Sequence, residues 1–397
     1  MVNPRWVTWS LAAGLLIALV VGAYALWPGG QAAKQAPLDL AGILRALETV
    51  PSEAAAETDA GHAYAFPADH GPHPAHPTDV WDLRAVLSAD DGGPIGLRAT
   101  FLRLALAPSA RTKRASRLAA EELIAARIAL SPGSAHTGSQ DQRAGRAVLD
   151  IAGSDADPAS VWVEDWRLAR LGDASWQLQA TLDSGSILLR LVSDHAAGAE
   201  PILIGSALGP PEAMRSSAGT QQIRRYQMPR LTATGSIDTG TGPRQVTGSA
   251  WLDHGWGDLS AVLNGRQGQL KANQFRLRLD DRTMLDCLEL RRIGGGGTPI
   301  PSCTLTSADG ARRTYQRRAL SLIPDERAWT APDGIGFPLR WRLQIPAERL
   351  DLRFTPLVED QRIHLLDQPI WSGPLIVDGM RAGQSAAGIG WMDLSGD

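Results

Sequence analysis

The chain has 397 residues, 44% hydrophobic and 20% charged, a globular composition that excludes a largely disordered protein. Its 39 Lys and Arg against 42 Asp and Glu give a net charge of −3, so no basic excess recruits nucleic acid. The 41 Gly and 26 Pro against six Met point to many turns and short elements, and 13 Trp against five Phe and four Tyr is an unusual aromatic balance.

The first element is Trp6 to Trp27, 22 residues without a charge behind Arg5. As a helix it spans about 33 Å, enough for the hydrocarbon core of a bilayer. Trp6 and Trp9 at one end and Tyr24 and Trp27 at the other stand where interfacial anchors belong. Arg5, with no further basic residue until Lys34, places residues 1–5 as a stub in the cytoplasm. Residues 6–27 then form a single-pass anchor in the inner membrane, with the remaining chain in the periplasm. Ala23-Tyr24-Ala25 is an A-x-A pattern, so a cleaved signal peptide is the alternative; either way the rest of the chain is exported. Residues 28–61, rich in Ala, Pro and Gly, read as a linker, within which Leu40, Ile43, Leu44 and Leu47 have helical spacing.

After His62 short alternating stretches lie between turn signals: Leu97 to Leu104, Val161 to Trp166, Trp176 to Leu182 and Ser186 to Val192. The texture resumes at Leu231 to Gly235 and runs through Gln274 to Leu279, Leu339 to Ile345, Leu352 to Phe354 and Gly388 to Leu394. Period two with Gly, Asp and Asn breaks predicts strands spaced as in a sandwich or barrel. One helix is expected at Lys113 to Arg127, rich in Ala, Glu and Leu. The fold class is therefore all-β, with two bodies, residues 62–238 and 239–397, each long enough for a barrel of about eight to ten strands.

The two cysteines, Cys287 and Cys303, each lie eight residues from Gly295 in a run of four glycines. A hairpin folded there sets them opposite each other, as a cross-strand disulfide requires, and an oxidising periplasm permits the bond. Two separate buried thiols are the alternative. Zinc is not expected at this pair, because nothing nearby supplies further ligands.

Two constellations bear chemistry. Phe66-Pro67-Ala68-Asp69-His70-Gly71-Pro72-His73-Pro74-Ala75-His76-Pro77 holds three histidines at three-residue spacing beside an aspartate. Its prolines forbid a helix, and extended backbone does not bring i, i+3 and i+6 onto one face, so a rigid leader is expected rather than a metal site. Ala250-Trp251-Leu252-Asp253-His254-Gly255-Trp256 sets His254 and Asp253 among indoles, either as an acid/base pair or as a barrel strand whose side chains pack and pair internally.

Four segments occur in an order that resembles the lipocalin-like family of secreted proteins related to carotenoid 1,2-hydratases and AttH-like proteins. They are F-P-A-D-H-G-P-H-P at 66–74, V-W-V-E-D-W-R-L at 161–168, Y-Q-M-P-R-L at 226–231 and W-L-D-H-G-W at 251–256. The resemblance covers residue 62 to the C-terminus. It implies two tandem lipocalin-like β-barrels with an apolar ligand site, often encoded near ABC-type export systems. The chain departs from the family where Glu-Trp-Trp-Tyr is usual and Asp79-Val80-Trp81-Asp82 stands. A second departure puts Ala272-Asn273-Gln274-Phe275 where the family shows an aromatic-Asp-aromatic-Phe strand. Adding water to an isolated C=C bond needs a protonated acid and aromatic faces for the cation, and Asn273 cannot be that acid.

The expected function is thus a membrane-anchored periplasmic protein that binds an apolar ligand, a lipid or isoprenoid, and serves an ABC-type transporter. The alternatives are a hydratase or hydrolase of the carotenoid 1,2-hydratase type and a purely structural partner. The expected catalytic residues are His254 and Asp253. The expected ligand-lining residues are Trp256, Trp251, Trp81, His70 and Asp69. No cofactor and no metal are expected.

Overall fold

The computed structural model describes residues 63–106, 120–132, 138–193, 202–204, 224–257, 270–292, 296–325, 328–365 and 368–396. The expected anchor at 6–27, the linker at 28–61 and Gly294 and Gly295 lie outside the described residues. Among the described residues no helix is long and apolar enough to cross a membrane.

Twelve strands make the first sheet. A short leader with one 3₁₀ turn, Ala68–His70, precedes β1 (Thr78–Ala89), β2 (Pro94–Ala105), β3 (Glu122–Pro132) and β4 (Ser139–Arg146). Five short strands follow: β5 (Ala152–Ala156), β6 (Ala159–Val163), β7 (Trp166–Arg170), β8 (Trp176–Leu182) and β9 (Gly185–Ser193). Then come β10 (Ile202–Ile204), β11 (Arg224–Asp238) and β12 (Pro243–Gly257). The order is β4-β3-β2-β1-β12-β11-β9-β8-β7-β6-β5, with β10 on β11. Strands β5 and β6 return against β3 and β4, so this sheet nearly closes into a barrel.

The second body opens with β13 (Leu270–Leu279), β14 (Met284–Arg292), β15 (Ile300–Thr306), β16 (Arg312–Gln316) and β17 (Ser321–Pro324). A two-stranded ribbon, β18 (Trp329–Thr330) with β19 (Gly336–Phe337), interrupts it. It ends with β20 (Trp341–Ile345), β21 (Leu350–Pro356), β22 (Arg362–Leu365), β23 (Gln368–Arg381) and β24 (Gln384–Ser395). The order β16-β15-β14-β13-β24-β23-β21-β20-β17 repeats the plan of the first sheet, with the last strand inserted beside the first, and forms a half-barrel.

Two expectations are corrected. The helix predicted at Lys113 to Arg127 is absent where the chain is described: from Glu122 it is β3, paired with both β2 and β4. Helix formers fill it, but Ile124, Ala126, Ile128 and Leu130 alternate into the barrel core, and that burial overrides propensity. The boundary drawn at Asp238 and Thr239 is the turn of the β11–β12 hairpin, so the first sheet continues to Gly257. The glycines there serve a tight turn: Gly240 and Gly242 have φ of +92° and +102°, a region that favours glycine.

The expected disulfide is present. Cys287 and Cys303 are directly opposite across β14 and β15, joined inside the second core. The closed loop spans a sequence separation of 16.

Strand alternation determines how the bodies meet. On β1, Trp81, Leu83, Ala85 and Leu87 point into the first core, while Asp82, Arg84 and Val86 point out. That outer face is nonetheless buried, because the β13–β24 ribbon of the second sheet covers it. Arg84 faces Trp251 across β1–β12, and Arg276 faces Trp391 across β13–β24, so the two ribbons present matching residues. Arg84 donates to Asp253 and Asp393 at 3.0 Å each, and Arg276 to the same two carboxylates at 2.6 and 3.3 Å. Arg98 joins Asp82 at 2.8 Å and Asp393 at 3.1 Å, and Arg225 joins Asp253 at 2.7 Å. Burial would raise Asp253 and Asp393, but the surrounding guanidinium groups hold both far below the usual carboxylate range.

Two stability predictions follow from this packing. Replacing both cysteines by serine is expected to lower unfolding free energy by roughly 3 kcal/mol on the loop-entropy model, read from urea curves against the oxidised wild type. Asp253→Ala leaves Arg84, Arg225 and Arg276 short of a buried partner and is expected to cost about 3–5 kcal/mol in the same assay. A loss under about 1 kcal/mol, the range of an exposed pair, would show that water enters the interface.

Candidate functional site

The inward face of the same β1–β12 ribbon carries the candidate site at one end of the first barrel. Asp79 and Trp81 on β1 lie two residues apart, as do His254 and Trp256 on β12. Trp81 is directly opposite His254, and Asp79 opposite Trp256. Tyr226 on β11 is opposite His254 on its other side. The leader 63–77 supplies Tyr64, Phe66, Asp69, His70 and His73. Gly71 lets it approach β5: a Cβ there would stand 2.8 Å from the Ala156 Cα.

Asp79 is the hub. Its Oδ1 lies 2.8 Å from His73 Nδ1, 3.1 Å from the His73 backbone N and 3.3 Å from His254 Nε2, while Arg103 Nη1 donates to its Oδ2 at 2.7 Å. Burial alone would raise the Asp79 carboxyl, but hydrogen bonds from His254 and His73 and the charge of Arg103 outweigh it. The carboxylate is held ionised far below its usual range. Arg103 is fixed in turn by Glu122 at 2.7 Å and by the carbonyls of His76 and His73 at 3.1 and 3.3 Å.

His254 has an oxygen at each ring nitrogen: the Asp69 carbonyl 3.1 Å from Nδ1, and Asp79 on Nε2. A neutral imidazole carries one N–H, so one of its nitrogens always turns a lone pair toward an oxygen. Burial lowers the His254 pKa, and the Asp79 carboxylate opposes that shift. The ring stacks on Trp81, with centroids 4.4 Å apart and planes within 14°, and His73 stacks on Trp256 at 3.7 Å and 5°. His70 Nδ1 meets the Tyr226 hydroxyl at 2.7 Å, and its carbonyl accepts from Trp81 Nε1 at 3.2 Å. Phe66 packs edge-on to Tyr226 and is the most exposed ring of the group, at 36%. The site therefore combines a carboxylate–imidazole relay with aromatic walls, suited to moving a proton beside an apolar group.

Of the expected residues, His254, Trp256, Trp81, His70 and Asp69 come together here. Asp253 and Trp251 do not: they occupy the outer face of β12, in the interface with the second sheet. Adjacent strand residues point to opposite faces, so Asp253 cannot serve the same site as His254. Asn273 faces the second core, where its amide donates to Glu289 at 2.8 Å and its oxygen accepts from the Ser395 N–H at 3.0 Å. The carboxylate lacking at position 273 is thus present on the next strand. Asp79, His73, Tyr226 and Arg103 were not singled out as site residues. For three of them the signal was in hand: Asp79 shares its strand face with Trp81, and His73 and Tyr226 fall inside quoted motifs. Arg103 carries no signal beyond being a charge in an alternating strand.

His70 offers a pH test. Burial first and then Arg170 lower its pKa from 6.5 to about 3. On acidification the unfolded chain takes up this proton near pH 6.5 and the folded chain only near pH 3, so its stabilising effect is complete above pH 6.5 and lost across that interval. The loss is about 1.4 kcal/mol per pH unit for each such group. His70→Asn is expected to flatten the stability–pH slope between about pH 6 and 4.5 by roughly one proton, measured by urea unfolding at each pH. An unchanged slope would show His70 to be charged in the folded protein.

A family model described as AttH-like matches residues 57–397. No curated protein matches the sequence. Among solved structures, one from Nitrosomonas europaea assigned as AttH is similar at 24% identity and a TM-score of 0.67, covering 85% of this chain and 98% of that one. Kievitone hydratase from Nectria haematococca is similar at 13% identity and a TM-score of 0.58, covering 87% and 96%. At these identities the likeness is one of fold.

Proposed function

The chain belongs to the AttH-like family, and we propose that its first barrel binds an apolar small molecule and adds water across one of its carbon–carbon double bonds. The observation that supports this reading is the His73–Asp79–His254 group buried between indoles. A barrel that only held a lipid or isoprenoid would gain from apolar lining alone, at roughly 25 cal/mol per Å². Burying carboxylates and imidazoles in it would cost stability with no return. Polar groups with shifted proton affinities under aromatic walls are instead the marks of a reactive site.

The step balances as an addition of water. At rest Asp79 is ionised and His254 neutral, so the relay first takes up one proton from solvent as a His254 imidazolium held by Asp79. One alkene carbon takes that proton, and the faces of Trp81 and Trp256 stabilise the positive charge on the other carbon. Water attacks that carbon and returns its proton to the relay, so nothing is oxidised or reduced. The loss of an acid at Asn273 does not bear on this, since the first barrel has its own acid/base group. The name of the Nectria protein, a hydratase, is in keeping with the reading.

We place both bodies, the nearly closed barrel and the half-barrel of a lipocalin-like tandem, in the periplasm behind an anchor at residues 6–27. The uncharged run behind Arg5 and the Cys287–Cys303 bond, suited to an oxidising compartment, support this. Service to an ABC-type export system rests on the family resemblance alone.

Isoprenoid alkenes incubated with the protein in heavy-oxygen water are expected to give labelled alcohols. His254→Ala should lower the rate about 10²–10⁴-fold. Absence of product, together with a co-purifying lipid kept by His254→Ala and lost by Trp256→Ala, would make the protein a holder and not an enzyme.

A further inference from the structure

We propose that His73, Asp79 and His254 bind one divalent ion of the zinc class, an inference that rests on the site just described but not on the reaction assigned to it. The three residues come from the leader, β1 and β12, and their ligand atoms lie within 4.8 Å of one another. His73 Nδ1 and His254 Nε2 stand 2.8 and 3.3 Å from Asp79 Oδ1. In a tetrahedral zinc site with bonds of about 2.0–2.1 Å, neighbouring donors are roughly 3.4 Å apart, so small side-chain shifts complete the geometry.

What stands behind each donor also fits. A metal-binding imidazole usually gives its other N–H to a carbonyl or carboxylate. His254 Nδ1 faces the Asp69 carbonyl at 3.1 Å, and His73 Nε2 faces Asp69 Oδ1 at 3.4 Å. The second oxygen of Asp79 is held by Arg103. With their outer nitrogens so engaged, both histidines turn their inner nitrogens, His73 Nδ1 and His254 Nε2, to the same carboxylate oxygen, where an ion can take the place of the hydrogen-bonding protons. Stacking on Trp256 and Trp81 fixes both ring planes. Two nitrogens and one oxygen favour zinc, or cobalt as its probe, over the oxygen-bound magnesium and calcium. His73, at 11% side-chain exposure, is the donor nearest to solvent.

The spacing of His70, His73 and His76 is not what builds this site. Only His73 takes part, with Asp79 and His254 supplied by β1 and β12.

The full chain, dialysed against chelator and titrated with Zn²⁺ by calorimetry, is expected to bind about one ion per chain. His73→Ala and His254→Gln should each weaken binding by roughly 100-fold or more, since even outer-sphere losses reach that range. His76→Ala should bind as the wild type does, and Co²⁺ should give the visible absorption of a tetrahedral site in the wild type only. Because His73 is partly exposed, its variant tests the site even if His254→Gln misfolds, and circular dichroism checks each fold. No uptake by the wild type, or equal uptake by His73→Ala, would mean that protons alone hold the group together. Alkene hydration is scored separately, on the chelator-treated protein, because the ion would occupy the nitrogens that carry the proton. One zinc bound without turnover supports the ion and sinks the reaction, whereas turnover with no zinc binding sinks the ion and leaves the reaction.

Discussion

The β1–β12 pairing is the constraint on which the rest depends. Two long strands in register place every other side chain inward and the remainder outward, and both faces are buried. The inward face ends in Asp79, Trp81, His254 and Trp256. The outward face carries Asp82, Arg84, Trp251 and Asp253. A slip of one residue would exchange the two sets, placing the relay in the interface and the guanidinium cluster in the core. Register here is therefore also the specification of the site.

The repeated plan of the two sheets gives that interface its form. Arg84 and Arg276, Asp253 and Asp393, and Trp251 and Trp391 stand in matching positions on matching ribbons. Each of the two arginines reaches both aspartates. A buried network of this kind is weak evidence for net stability, since desolvation offsets much of the attraction. Its consequence is specificity: the ion pairs close in one relative placement of the ribbons, and a sideways shift would leave a charge unpaired. The second sheet thereby helps to hold the strand pair whose other face makes the site.

Within the site, aromatic rings and charge act together. Indoles stacked on both imidazoles exclude water and fix the ring planes, while Asp79, clamped by Arg103, sets the direction in which the ring nitrogens point. The low-dielectric setting that depresses His70 and His254 also strengthens each contact with the carboxylate. Proton transfer and ion binding both draw on this one property, the convergence of two imidazoles on one carboxylate among indoles.

Local pattern was sufficient for much of the fold. Alternation marked strand segments in both sheets, among them Trp176 to Leu182, Ser186 to Val192 and Gln274 to Leu279, because half-buried sheets impose period two on the sequence. The spacing of Cys287 and Cys303 about a glycine run was enough for their pairing, since a hairpin is a local structure. Lys113 to Arg127 misled because alanine, leucine and glutamate report helix propensity, whereas β2 and β4, remote from that signal, make Glu122 onward a strand. Asp253 misled for a related reason: nearness to His254 in sequence is separation by a strand's thickness in space. Of the partners that complete the site, His73 and Asp79 are near neighbours in sequence, but Tyr226 lies far along the chain from both. Sequence by itself determined that the fold is all-β and which residues alternate along the stretches it marked. Only tertiary pairing decided which alternate face meets which, because cross-strand contacts join residues as distant as 79 and 254, and no local spacing carries that distance.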